Sequence, residues 1–346
     1  MADDLFSDVE PIPADPDADA HAHADVDFDS PDIEDERGEG NDPFTVISND
    51  QVENADKLMA DGQVAEALNQ YRSAVRKAKE KGEDDTEQRI DLGDAYVYSG
   101  QGLNAFRQYR RAIKTAPERA EPHFAMGELY MYYGRLQPAI FEFRKAVALE
   151  PKNAYYHYKL GDACAQAGDL AEGIIELEAS VRLKPQDGFY HFWLGDMLVR
   201  AGRNAEAVRE MQQATIFSPV DAYYNVRLGA QYRRMLQFRD AAVAVRQAVR
   251  LAPSNSAYHC LLADLYSELR LDKHAVFHYQ RAGVLDDFDA EQLKRLRRHA
   301  GIEDDSEWEE PEDLNLLMPR MDSAGTASSY THDSDVEDAD EDLETD

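Results

Sequence analysis

Glycine returns every 34 residues through the middle of this chain, at Gly93, Gly127, Gly161, Gly195 and Gly229, and Ala263 takes the next step. A large apolar residue precedes each one: Leu92, Met126, Leu160, Leu194, Leu228 and Leu262. Proline keeps the same interval at Pro117, Pro151, Pro185, Pro219 and Pro253. Two more rows are small, Ala105, Ala139, Gly173, Ala207, Ala241, Ala275 and Ala112, Ala146, Ser180, Ala214, Ala248, Ala282, with a bulky residue between them at Tyr109, Phe143, Leu177, Met211, Val245 and Tyr279. Rows in one register mean one unit copied along the chain. Such a unit cannot bury its apolar stripe alone and must stack on its neighbours. The 346 residues therefore read as one array rather than as two or three compact domains.

Each period reads as two helices and a tight turn. Gly100, Gly134, Gly168 and Gly202 sit at the turn, where positive φ costs glycine little. Leu236 and Arg270 fill that place in the last two units, so their turns are expected to differ. Proline closes each second helix because the residue before it disfavours helical ψ.

The pattern resembles the tetratricopeptide repeat family, whose 34-residue unit carries Leu-Gly-x-x-Tyr, then Ala-x-x-x-Phe, Ala and Pro. Tyr96, Tyr130, Tyr232 and Tyr266 fill the tyrosine position, with Cys164 and Leu198 departing from it. The family's tryptophan position is held instead by Arg89, His123, His157, His191, Asn225 and His259. The resemblance implies an all-α, right-handed superhelical solenoid of helix-turn-helix units with a concave groove. The register sets units at 86–119, 120–153, 154–187, 188–221, 222–255 and 256–289, and a weaker first unit at 48–85 matches through Gly62, Ala67, Tyr71 and Ala74. That first unit carries four surplus residues, Gly82 to Asp85. Asp289 to His299 reads as one more helix within a cap at 290–301, stopped by Gly301.

The net charge of −32 lies at the ends: residues 1–47 hold 16 acids and one Arg, residues 301–346 hold 18 acids and one Arg, and residues 48–300 balance 35 acids with 35 bases. A body without basic excess lacks what nucleic acid needs, so no nucleic-acid partner is expected. The tails, 1–47 and 302–346, are too acidic and too poor in apolar residues to order themselves. Two apolar islands interrupt them, Leu5-Phe6 with Val9 and Ile12, and Trp308 with Leu314, Leu316, Leu317 and Met318. The Trp308 island is expected to dock intramolecularly near Arg200, Arg233, Arg234 or the terminal helix. The start, Met1-Ala2-Asp3-Asp4-Leu5, has no secretory character, and no run of about 18 apolar residues occurs. Cys164 and Cys260, 96 residues apart, form no disulfide framework and read as small buried residues. A cytoplasmic setting is expected.

A helical wheel leaves positions 2, 5, 9, 12 and 13 of each first helix opposite the packed side. In the third to fifth units these positions bear Phe124, Tyr155, Tyr158, Phe189 and Phe192, followed by Tyr223, with Glu128, Asp162 and Asp196 on an acidic line and Arg200, Arg233 and Arg234 beyond. Aromatic and Arg side chains dominate protein interfaces, so these twelve residues are the candidate partner-binding groove. The family's clamp for a C-terminal carboxylate is missing, since position 9 is acidic or Ala and position 5 is apolar, with Lys159 and Arg227 isolated at position 6. The histidine row is too widely spaced to ligate a metal, at about 10 Å between repeats. His21-Ala-His23 is at most an adventitious metal ligand. No phosphate loop, nucleophile elbow or dinucleotide fingerprint occurs, so neither a cofactor nor catalysis is expected. The expected function is a scaffold or adaptor holding an extended or helical segment of a partner protein. The alternative is a regulatory or targeting subunit of an enzyme whose catalytic chain is separate.

Overall fold

The computed structural model describes residues 50–285. The cap at 290–301 and both acidic ends, with the Trp308 island, lie outside the described residues. Among the described residues there are fourteen α-helices, α1 to α14, and they fall into two compact bodies that divide between Phe217 and Ser218.

The first body holds five antiparallel helix pairs. These are α1 (Asp50–Ala60) with α2 (Val64–Lys81), α3 (Thr86–Tyr98) with α4 (Gly102–Thr115), and α5 (Ala120–Tyr132) with α6 (Leu136–Leu149). They continue with α7 (Ala154–Gln166) and α8 (Leu170–Leu183), then α9 (Gly188–Arg200) and α10 (Asn204–Phe217). The second body holds α11 (Ala222–Arg234) with α12 (Phe238–Leu251) and α13 (Ser256–Glu268) with α14 (Asp272–Leu285). From α3 onward every boundary repeats at the 34-residue interval read from the sequence.

The residue before several first helices is Asp or Asn and caps it. Asn153 accepts from the amides of Tyr155 and Tyr156, Asp187 from Phe189, Asp221 from Tyr223 and Tyr224, and Asn255 from Tyr258. Each such cap contributes about 1 kcal/mol. Gly82 to Asp85 connect α2 to α3. The connector they form is as long as the later ones, because the extra length of the first unit lies in α2, which runs for 18 residues where the later second helices have 14 and is closed by Gly82 at φ 70°.

Inside each pair the small rows bring the helices together. Ala105, Ala139, Ala207 and Ala241 are fully buried, against Tyr109, Phe143, Met211 and Val245 in the next row. The fourth unit has glycine in both small positions, and a Cβ at Gly161 would stand 2.9 Å from the Gly173 carbonyl oxygen. The backbones of α7 and α8 therefore approach closely enough to exclude a side chain on either residue.

The turns at Leu236 and Arg270 do not differ from the others, contrary to expectation. Both residues adopt φ 59°, beside 67° at Gly134 and 76° at Gly202. Their hydrogen bonds are also the same: Leu236 N–H donates to the Arg233 carbonyl at 2.9 Å and Gln237 N–H to the Tyr232 carbonyl at 2.9 Å, matching Gly134 to Met131 at 2.9 Å and Arg135 to Tyr130 at 2.8 Å. Satisfying two helix-end carbonyls outweighs the left-handed penalty of about 1–2 kcal/mol that a Cβ brings. Since the Leu236 side chain is 73 % exposed, little packing would be lost by removing it. Leu236→Gly is expected to stabilise the second body by about 0.5–1 kcal/mol, read as a rise in its chemical-denaturation midpoint.

Candidate protein-binding face

The face opposite the second helices of the first body is built by α3, α5, α7 and α9. Its aromatic residues form a continuous run. Phe124 of α5 meets Phe143 at 5.5 Å and Tyr155 of α7 at 5.6 Å between ring centroids. Tyr155 meets Tyr158 at 5.8 Å, and Tyr158 meets Phe189 of α9 at 4.9 Å and Trp193 at 5.5 Å. Phe192 joins the run through Trp193 at 5.7 Å.

These residues are not equally available. Tyr155 is 40 % exposed, and Phe124 and Phe189 are half-buried. Phe192, at 2 % exposure, and Tyr158, at 8 %, are core residues in this structure. This corrects the expectation that both stand on an open face. Position 5 of α7 lies on the seam with α9, where Tyr158 meets Phe189 and Trp193. Burial raises the Tyr158 hydroxyl well above its usual range, with Asp162 adding to the effect.

The acidic line divides into two kinds of residue. Asp56, Asp94 and Asp264 each accept a hydrogen bond from a tyrosine 15 residues later in the same unit, Tyr71, Tyr109 and Tyr279. Burial and these carboxylates push the tyrosine hydroxyls far above their usual range. In the third to fifth units the tyrosine position is Phe143, Leu177 and Met211, which cannot donate. Glu128 instead meets the Lys159 ammonium at 2.9 Å, and Asp162 accepts from Gln166 at 3.0 Å. Asp196 is half-buried on α9. Lys159 also lies 5.5 Å from the Tyr155 ring centre and 5.9 Å from that of Tyr158. Arg200 is exposed and donates to the Ala165 carbonyl at 3.2 Å, so it satisfies the C-terminal end of α7.

Of the twelve residues read from the sequence, nine lie in the first body: Phe124, Glu128, Tyr155, Tyr158, Asp162, Phe189, Phe192, Asp196 and Arg200. Tyr223, Arg233 and Arg234 lie in the second. There Tyr223 is half-buried with the Arg227 guanidinium 6.0 Å from its ring centre, and the positive charge of Arg233 partly offsets the burial that raises the pKa of Asp264. Lys159 and Trp193, both at position 6, were not among the sequence candidates.

The histidine row has a different role from simple packing. The Nδ1 atoms of His123, His157 and His191 lie 2.6, 2.6 and 2.7 Å from Glu142, Glu176 and Glu210, in each case 19 residues later on the second helix of the same unit. Nε2 of His157 and of His191 meets the carbonyls of Pro151 and Pro185, each at 3.1 Å. Arg89 takes the same place in the second unit, bonded to Gln108 at 3.2 Å and to Asp85 at 2.6 Å. Among the described residues no group of three or more His, Cys, Asp or Glu is placed to hold a metal. Cys164 is fully buried, and burial pushes its thiol up to about 12, while Cys260 is only half-buried.

Residues 52–298 match the family model described as the cilia and flagella-associated protein 70 C-terminal domain, a tetratricopeptide repeat family. The chain belongs to that family. No curated protein matches it in sequence. Among solved structures, a tetratricopeptide repeat protein from Parabacteroides merdae is 14 % identical, with 72 % of this chain and 97 % of that one covered at a TM-score of 0.50. The pilF protein of Pseudomonas aeruginosa is 18 % identical over 62 % of this chain and 92 % of that one, at a TM-score of 0.49. YrrB, described as a TPR protein with an unusual peptide-binding site, is 17 % identical over 55 % of this chain and 97 % of that one, at 0.46. At these identities the likeness shows the fold alone. The tetratricopeptide fold suggests a protein–protein interaction scaffold and is typically non-catalytic. No described helix is long and apolar enough to cross a membrane.

Proposed function

We propose that the chain is a non-catalytic scaffold or adaptor that holds an extended or helical segment of a partner protein on the first-helix face of its third to fifth units. The observation that carries this reading is the aromatic run from Phe124 to Trp193, capped by the 40 % exposed Tyr155 and bordered by Glu128, Lys159 and Asp162. An aromatic centre with a polar rim is the composition that dominates protein interfaces. The equal numbers of acids and bases in the body favour a protein partner over nucleic acid. Two free cysteines, one of them fully buried, accord with a cytoplasmic setting.

A photo-crosslinking amino acid tests the face directly. Benzoylphenylalanine in place of Tyr155 is expected to trap a discrete partner from native extract. The same group in place of Ile175, which is 59 % exposed on the second helix α8, is expected not to trap it. Equal trapping from both positions would move the binding surface elsewhere.

A further inference from the structure

A cavity of about 590 Å³ lies beside the connector that leads into α7, and Glu150, Lys152, Asn153, Tyr155, Lys184 and Tyr190 contribute to its lining. Its volume falls within the range of roughly 300–1,000 Å³ found for ligand sites. Tyr155 belongs to the aromatic run as well, so the cavity continues the face described above. The connector is held in place: Asn153 caps α7 and donates from Nδ2 to Glu150 at 3.2 Å, and the Pro151 carbonyl meets His157 at 3.1 Å.

Three groups of the lining are not engaged. Lys152 and Lys184 are exposed and make no ion pair among the described residues. Tyr190 is 4 % exposed, with its ring edge-on to Tyr158 at 6.4 Å and Phe189 at 5.3 Å, yet its hydroxyl makes no hydrogen bond among the described residues. A tyrosine buried to this extent usually finds a partner for its hydroxyl, and the cavity is where one can enter. Burial raises the pKa of that hydroxyl, with Asp187 and Tyr155 adding to the effect, so it remains a donor. Against these donors the lining sets one carboxylate, Glu150, so two cations meet one anion. Asp187, nearby, is committed to capping α9 through the Phe189 amide at 3.0 Å. In the second to sixth units the place of Lys184 is otherwise taken by Ala116, Glu150, Ser218 and Ala252, and that of Lys152 by Glu118, Gln186, Val220 and Ser254. The two cations therefore adjoin only here.

Resting on the binding face already proposed, we propose that this cavity seats an Asp or Glu side chain of the partner segment. Its carboxylate lies between Lys152 and Lys184 and accepts from the Tyr190 hydroxyl, and an apolar neighbour in the segment packs on Tyr155.

Random peptides displayed on phage and selected on the immobilised full chain test this. The selected peptides are then measured against the natural chain, Tyr155→Ala, a Lys152→Gln, Lys184→Gln double variant and Tyr190→Phe. The lysines are exposed and Phe keeps the buried ring, so the last two variants are expected to fold. Peptides that need Tyr155 are expected to share one Asp or Glu. Replacing that residue with its amide should weaken binding to the natural chain about tenfold and hardly change binding to the double lysine variant. Tyr190→Phe should weaken the acidic peptides about fivefold and leave their amide counterparts unchanged. Peptides that need Tyr155 but share no acid, or whose acid is indifferent to the double lysine variant, would overturn the inference and leave the binding face standing. Peptides without an acid that bind the double lysine variant more tightly than the natural chain would overturn it too, by placing the chain's own acidic ends in the cavity. If the only peptides obtained are indifferent to Tyr155, both readings fall.

Discussion

Replacing Phe192 with Ala is expected to cost about 3–5 kcal/mol of stability. The side chain is 2 % exposed and packs against Trp193 at 5.7 Å, which in turn packs on the core of Tyr158, Leu194 and Met197. A loss of that size compares with a typical total of about 5–15 kcal/mol. Repeat arrays gain stability from neighbouring interfaces, so the damage is expected to centre on α7 to α10 rather than spread evenly. Hydrogen exchange should show these helices opening first while α1 and α2 keep their protection. Tyr155→Ala, at an exposed ring, is expected to change stability by less than about 1 kcal/mol. A Phe192→Ala protein as stable as the natural one would mean that the Phe192 ring is not packed in the core as described.

The second large effect concerns pH. His157 and His191 each have an acceptor at both ring nitrogens, a glutamate at Nδ1 and a proline carbonyl at Nε2. Only the imidazolium can donate to both. At His157 the hydrogen bond donated to Glu176 is the largest influence and raises the pKa, against burial and the charge of Arg182. At His191 burial is the largest influence and lowers it, but Glu210, the Pro185 carbonyl and Asp187 together outweigh burial and the net direction is up. A folded value above the unfolded value of about 6.5 means protonation favours the folded state. This contribution is complete below about pH 6.5 and is lost as pH rises through the folded values. The stability difference between the natural chain and a His157→Gln, His191→Gln double variant is therefore expected to be largest near pH 6 and to shrink toward pH 8.5. Unfolding curves of both proteins across that range check this, and a difference independent of pH would show that both rings are neutral. The seventh unit behaves otherwise: His259 and His278 face each other at 2.9 Å through their Nδ1 atoms, so one must accept from the other.

Helix boundaries, unit length and core rows were legible because glycine, proline and small residues constrain the backbone locally and recur in register. Leu236 and Arg270 were misread because turn geometry was inferred from residue type, whereas the helix-end carbonyls impose it on whatever residue is present. Tyr158 and Phe192 were misplaced because a helical wheel represents one helix and carries no information on how far the next helix covers position 5. The half-burial of Ile90, Val226 and Cys260 at the same position shows that ring size and neighbours decide the outcome. The Asp–Tyr pairs at 15 residues and the His–Glu pairs at 19 were present in the sequence. They become visible only when rows are compared within a unit as well as between units: Asp94 with Tyr109, Glu128 with Phe143, His157 with Glu176. The same comparison separates carboxylates engaged by a tyrosine from Glu128, Asp162 and Asp196, and so narrows the candidate site to the third to fifth units.

The most direct test of the binding face is the affinity of the partner trapped at position 155 for the natural chain and for Tyr155→Ala, with melting curves recorded on both. The account predicts binding weaker by about tenfold at an unchanged melting temperature, the loss expected for one aromatic anchor. Equal affinity would contradict it and place the partner on another surface.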